Sequence, residues 1–169
     1  MKSIVLKKGH DIKISGLPVE SNMISVNPKN ICIMPSDFRG VKPKLIVKQG
    51  DKVKIGSPLF FDKTKPTVSW ASPGSGIVKD IIFGPRRVID KIQIEVDGAE
   101  AIIHKKYNID EISSLNRNKV LDCILKANLF PLIRQRPFNK VADPNDIPRD
   151  IFISLLNTAP LSINLNSII

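Results

Sequence analysis

The chain has 169 residues, 42% of them apolar, and its 26 basic against 16 acidic residues give a formal net charge of +10. That length and apolar content support a packed core in one ordinary domain or two small ones. The two distant cysteines, Cys32 and Cys123, exclude a disulfide framework and a zinc or iron–sulfur ligand set, and the single Trp and single Tyr exclude the stacking platform of a single-strand nucleic-acid binder.

The opening MKSIVLKKGHDIK has only three consecutive apolar residues, Ile4 to Leu6, so no secretory leader is expected and the cytoplasm is the default residence. The lysines are spread along the chain rather than bunched. Together with abundant Asn and Ile they read as AT-rich coding, so no nucleic-acid partner is expected. Ile12 and Ile14 alternate with Lys13 and Ser15, and Gly16-Leu17-Pro18 then turns the chain. Residues 19–30 form a polar loop, and Ile31 to Met34 a short strand stopped by Pro35.

Residues 43–97 are the most regular. Leu45 to Val47 make an apolar strand, turned by Gln49-Gly50-Asp51, where glycine supplies a positive φ. Val53 and Ile55 follow at period two, Gly56-Ser57-Pro58 turns again, and Leu59 to Phe61 make the next strand. Val68 and Trp70 alternate with Thr67 and Ser69. Pro73 to Gly76 turns, and Ile77 leads to Phe83. Gly84-Pro85-Arg86-Arg87 turns once more, and Lys91 to Val96 alternates cleanly, which predicts a half-buried strand. Short strands with Gly/Pro turns at regular spacing predict a small barrel or sandwich. The segment Val47 to Gly56 is echoed around Gly76 to Val88, which suggests two similar halves packed face to face.

After residue 105 the pattern becomes helical. Asp110 and Glu111 suit the first turn of a helix. Asn118 is the expected N-cap of a second helix carrying Val120, Leu121, Ile124 and Leu125, ended by Asn128 and Pro131. Arg134, Arg136 and Pro137 read as a basic loop, and residues 142–149 as a Pro/Asp connector. The tail 151–169 is uncharged. Pro160, Asn157, Asn164 and Asn166 argue against a membrane helix, so Ile151 to Leu156 is expected as a buried strand.

No phosphate-binding glycine loop, nucleophile elbow or paired carboxylate is present. His10 and His104 lack metal-ligand neighbours, and no catalytic or metal-binding residue is nominated. The hairpin FDKTKPTVSWASPGSG, 61–76, raises one chemical possibility. A lipoyl or biotinyl carrier needs its modified lysine at a tight hairpin tip, so that the arm can travel. Lys63 follows an Asp as carrier lysines do, whereas Lys65 has the carrier spacing of eight residues to Pro73. No single lysine has both features, and Pro66 stiffens the tip.

KKGHDIKISGLP, 7–18, GVKPKLIVKQGDKVKIGSPLF, 40–60, ASPGSGIVKDIIFGPRRVIDKIQIEV, 71–96, and RPFNKVADPND with IFISLLNTAPL resemble the N-terminal part of the A-subunit family of sodium-translocating NADH:quinone oxidoreductases. The resemblance implies a mainly β fold with some α. Residues 1–104 would be a barrel-sandwich hybrid like a biotinyl/lipoyl carrier, and 105–169 a helical connector and the first part of an α/β domain. It implies a peripheral, cytoplasmic-side, non-catalytic piece of a membrane complex that reduces ubiquinone with NADH and exports sodium. In that setting NAD(H) and ubiquinone belong to the complex, and this chain binds no cofactor itself. Its partners are the other subunits, with quinone interaction possible only in the full-length protein. Arg86, Arg87, Arg134 and Arg136 are the expected partner contacts. Two alternatives remain at this level. One is a lipoyl/biotinyl-type carrier using Lys63 or Lys65. The other is the C-type electron-transport subunit of a ferredoxin:NAD oxidoreductase, which would carry cysteine clusters further on.

Overall fold

The computed structural model describes Val5, Lys8, Gly9, Ile14, Ser15 and residues 26–153. The expected strand about Ile12, the turn at Gly16, most of the 19–30 loop and the tail beyond residue 153 lie outside the described residues. Asn27–Ile147 is one compact unit.

Within it the strands are β1 (Asn30–Ile33), β2 (Pro43–Leu45), β3 (Lys52–Val53), β4 (Pro58–Asp62), β5 (Lys65–Ala71), β6 (Gly76–Phe83) and β7 (Ile89–Val96). Helices α1 (Ile109–Ser114) and α2 (Arg117–Lys126) follow, then the short strands β8 (Arg134–Gln135) and β9 (Lys140–Val141). One sheet has the order β1-β7-β6-β3, a second β2-β4-β5, and β8 pairs with β9. All these pairings are antiparallel.

Alternation decides which face is buried. In β7, Ile92 and Ile94 are fully buried while Lys91, Gln93 and Glu95 point outward. In β5, Val68 and Trp70 are inside and Thr67 outside. Strand β4 breaks the rule, since Leu59 and Phe60 are adjacent and both fully buried. A register shift against β5 between Pro58 and Phe60 makes this possible, because an irregularity of that kind re-aims side chains. The core gathers inward residues of both sheets, including Val53, Leu59, Phe60, Val68, Trp70, Val78, Ile92 and Ile94. Phe130 and Val141, from beyond the second helix, join the same cluster.

Gly76 is required where β6 begins. Its φ is +153°, and a Cβ there would sit 1.9 Å from the Glu95 carbonyl oxygen. The β6–β7 ladder can close only over a residue without a side chain.

Five local expectations are corrected. The echoed segments do not face each other as halves; β3 and β6 are hydrogen-bonded neighbours, Lys52 opposite Ile77. The apolar run Leu45–Val47 leaves the ladder after Leu45, and the Ile46 and Val47 N–H groups both donate to the Leu59 carbonyl. Ile55 does not extend β3 but makes a parallel bridge to Ala101. The α2 N-cap is Asn116, not Asn118; its side chain accepts from the Lys119 N–H at 2.9 Å, the geometry by which a cap satisfies an orphan donor. Ile151, Phe152 and Ile153 are 76–89% exposed and in no strand, so the expected buried strand is absent from its described part.

Candidate functional site

The carrier-like hairpin joins β4 to β5 through Asp62-Lys63-Thr64-Lys65. Asp62 is buried, and its Oδ1 accepts from the Thr64 N–H at 2.9 Å and the Lys42 N–H at 3.2 Å. Its carboxylate therefore closes the turn as an Asx-type acceptor. The Lys63 N–H donates to the Lys42 carbonyl at 2.9 Å, while the Lys63 side chain stays exposed.

Lys65 has a different environment. Its Nζ donates to the Val141 carbonyl at 2.9 Å and to the Ala142 carbonyl at 3.2 Å, and the residue is half-buried. An ammonium held by two backbone carbonyls is a charge-assisted clasp, not a free nucleophile. It fastens the hairpin to the end of β9.

The core holds an aromatic cluster. Phe60 stacks on Trp70 with ring centroids 4.9 Å apart, and Phe38 meets Trp70 edge-on at 5.3 Å. The Trp70 indole Nε1 is buried without an acceptor among the described residues. The Arg134 guanidinium lies 5.4 Å from the Phe38 ring centre, within cation–π range.

The four arginines lie on two hairpins. Arg134 opens β8 and is half-buried over Phe38, while Arg136 sits exposed beyond the strand, before a cis bond to Pro137. The expected basic loop is thus a two-stranded hairpin, with Arg134 opposite Val141. Arg86 and Arg87 are both exposed in the β6–β7 turn, and both have positive φ, 56° and 57°. The Val88 N–H donates to the Pro85 carbonyl at 3.3 Å and the Gly84 N–H to the Val88 carbonyl at 2.8 Å. Two consecutive left-handed residues form a turn of the primed type, for which Asn-Gly is the favoured pair.

Two contacts, of Asn128 with Gly56 and of Tyr107 with Cys123, had no signal in the sequence. Asn128, left-handed at φ 55° after α2, donates from Nδ2 to the Gly56 carbonyl at 3.0 Å. The Tyr107 hydroxyl lies 3.4 Å from the Cys123 thiol, and that contact pushes the phenol above its ordinary pKa. Asn108 caps α1 in a reciprocal box: its N–H donates to Glu111 Oε2 at 2.8 Å. This capping signal, an Asn with Glu three residues on, is readable in sequence. The bond, with Lys105 nearby, holds the Glu111 carboxyl below the usual value.

Among the described residues no cluster of three His, Cys, Asp or Glu could hold a metal ion, and no helix is long and apolar enough to cross a membrane. His104 is exposed, and His10 is outside the described residues.

Residues 4–97 match the family model of the NqrA N-terminal barrel-sandwich hybrid domain, and residues 115–169 that of the NqrA second alpha/beta domain. The chain is 38% identical over 160 residues to the A subunit of the Na(+)-translocating NADH-quinone reductase of Pseudomonas aeruginosa UCBPP-PA14, covering 94% of this chain and 36% of that protein. The protein of the same name from Marinomonas sp. MWYL1 is 38% identical over 157 residues, 93% of this chain and 35% of the relative. That of Klebsiella pneumoniae 342 is 35% identical over 159 residues, 94% and 36% of the two chains. The chain therefore spans roughly a third of the length of these relatives, at 35–36%. With a two-sheet carrier-like fold and both domain matches in the expected order, the chain belongs to the NqrA family and corresponds to its N-terminal portion.

Proposed function

We propose that this chain acts as a non-catalytic docking piece of a sodium-translocating NADH:quinone oxidoreductase. It would sit peripherally on the cytoplasmic side of the membrane, while NADH and ubiquinone chemistry belongs to other parts of the complex. In this reading residues 1–104 are the carrier-like module and 105–169 the connector and first part of the α/β domain. Arg86, Arg87, Arg134 and Arg136 meet the rest of the membrane-bound assembly, and no cofactor is bound by the chain itself.

The observation that carries the docking reading is the Lys65 clasp. A swinging arm needs a free amine at the hairpin tip, and the Lys65 ammonium is held by the Val141 and Ala142 carbonyls. The family match supplies the setting, because the relatives carry the name of a reductase subunit. Lys63, exposed in the turn, is the residue through which a carrier role would have to work.

Two measurements on the tagged chain test this. Co-expressed with the remaining subunits and purified in detergent, it is expected to retain them. Its intact mass is expected to equal that of the bare polypeptide. Loss of the other subunits would sink the docking reading, and a lipoyl or biotinyl adduct on a peptide spanning 63–65 would replace it with the carrier.

A further inference from the structure

We propose that residues 141–146 form a strap that masks the Lys65 amine, and that Arg117, bonded further along the same strap, is the positioning residue that keeps it closed. This deepens the reading of the carrier-like hairpin given above and rests on it: there Lys65 is clasped, and the strap names what holds the clasp shut.

The segment leaves β9 with four of its carbonyls bonded to two cations. Lys65 Nζ donates to the Val141 carbonyl at 2.9 Å and the Ala142 carbonyl at 3.2 Å. Arg117 Nη2 donates to the Pro144 carbonyl at 3.2 Å and the Asp146 carbonyl at 2.8 Å. Outside the β8–β9 ladder no backbone N–H among the described residues meets these four carbonyls, so without the cations they would turn to water. Neither cation forms an ion pair among the described residues, although Asp143 and Asp146 stand in the same segment. Asp143 is engaged within the strap. Its Oδ1 accepts from the Asn145 N–H at 2.9 Å, and its carbonyl from the Asp146 N–H at 3.1 Å. That turn ties the carbonyls held by Lys65 to those held by Arg117. Val141 and Pro144 are buried, so the strap is seated between its two fastenings.

Arg117 stands where helix physics does not place it. It is the first residue of α2, and the first turn carries no acidic residue. The positive end of the helix dipole disfavours a cation there. Contact with the strap accounts for its position, because bonds from a charged donor are the strong ones. A side chain at one end of the turn therefore biases the other end, and equilibrium coupling of that kind is reciprocal.

The test acetylates the full 169-residue chain with an N-hydroxysuccinimide ester and follows each lysine by peptide mass and fragment ions. Nζ bonds to the acetyl carbon, the ester bond to N-hydroxysuccinimide breaks, and the proton leaving nitrogen passes to buffer. The amine must leave both carbonyls before it can attack. In wild type, half-buried Lys65 is expected to react about fivefold more slowly than exposed Lys63. Arg117→Met is expected to bring the Lys65 rate to within about twofold of Lys63, while Lys63 and the half-buried Lys91 of β7 keep their rates. Lys119→Met, exposed on the same helix, removes equal charge and is expected to leave Lys65 masked. In reverse, Lys65→Met is expected to speed hydrogen exchange at the Asn145 and Asp146 amides. Trp70, 2% exposed, reports by its emission that each variant is folded.

Equal wild-type rates at Lys63 and Lys65 overturn the proposal. So does an unchanged Lys65 rate in Arg117→Met, or equal unmasking by Lys119→Met. A rise at Lys91 together with Lys65 overturns it too, because the whole unit has then loosened. Should Arg117→Met fail to fold, the reverse exchange decides, and unchanged Asn145 and Asp146 amides in Lys65→Met overturn the strap. Retention of the other subunits and the intact mass after expression read the docking role separately, so the two ideas fail independently.

Discussion

Lys65 shows how a residue's surroundings override its type. In sequence it is a candidate attachment lysine; in the structure its ammonium bridges two carbonyls of another segment. Hydrogen bonds from a charged donor contribute more than neutral ones, and partial exposure reduces that, so Lys65→Met is expected to cost about 1 kcal/mol. The urea midpoint should fall with an unchanged slope; an unchanged midpoint would mean the clasp is solvent-equivalent. Glu111 offers a pH-dependent counterpart. Its carboxyl is held low by the Asn108 N–H and then by Lys105. A depressed folded value means its stabilisation is present above the usual 4.5 and is lost as pH falls through the folded value. Wild-type α1 should lose amide protection over that acidic range, whereas Glu111→Gln should start from lower protection and show little change there. The sequence reading takes Glu111 only as a first-turn acid and misses the Asn108 cap, although Asn with Glu three residues on is a local pattern; the Lys65 partners have no such pattern, because they lie 76 and 77 positions away.

At the scale of elements, the β6–β7 hairpin sets stability against residue choice. Its turn has positive φ at both central positions and carries arginines where Asn-Gly fits best. Arg86→Asn with Arg87→Gly should therefore raise stability, by about 1–2 kcal/mol, read as a higher thermal midpoint. A lower midpoint would mean that the guanidiniums stabilise the fold itself. The strands here were legible because period-two alternation is enforced by burial of one face: Ile92 and Ile94 in β7, Val68 and Trp70 in β5. What alternation missed, it missed for identifiable reasons. The irregularity that turns both Leu59 and Phe60 inward depends on the partner strand. Asn118 lost the cap to Asn116 because only the residue whose oxygen meets an N–H three positions on can cap, and that needs the helix start in space. The two-residue strands β8 and β9 are too short to show a period at all.

At the scale of the compact unit 27–147, the core runs across the point where the sequence changes from strand-like to helical. Phe130 and Val141 are buried in one cluster with Val68, Trp70 and Ile92. Leu121, Ile124 and Leu125 of α2 pack against that cluster from its edge, as their helical spacing predicts. Phe130→Ala should destabilise by about 3–5 kcal/mol. Trp70 emission and far-UV ellipticity should then be lost in one coincident transition at lower denaturant. Separate transitions would mean that the barrel keeps its core without the later segment.

The sequence by itself determined the β-rich module, its turns, its alternating inner face and its family likeness, because each is written in residues a few positions apart. Only the tertiary structure decided that the hairpin lysine is clasped, that Arg134 lies over Phe38 while Arg86, Arg87 and Arg136 stay exposed, and that Phe130 belongs to the barrel's core. Those outcomes depend on groups tens of residues apart meeting at hydrogen-bond or van der Waals distance. No local pattern encodes such a meeting.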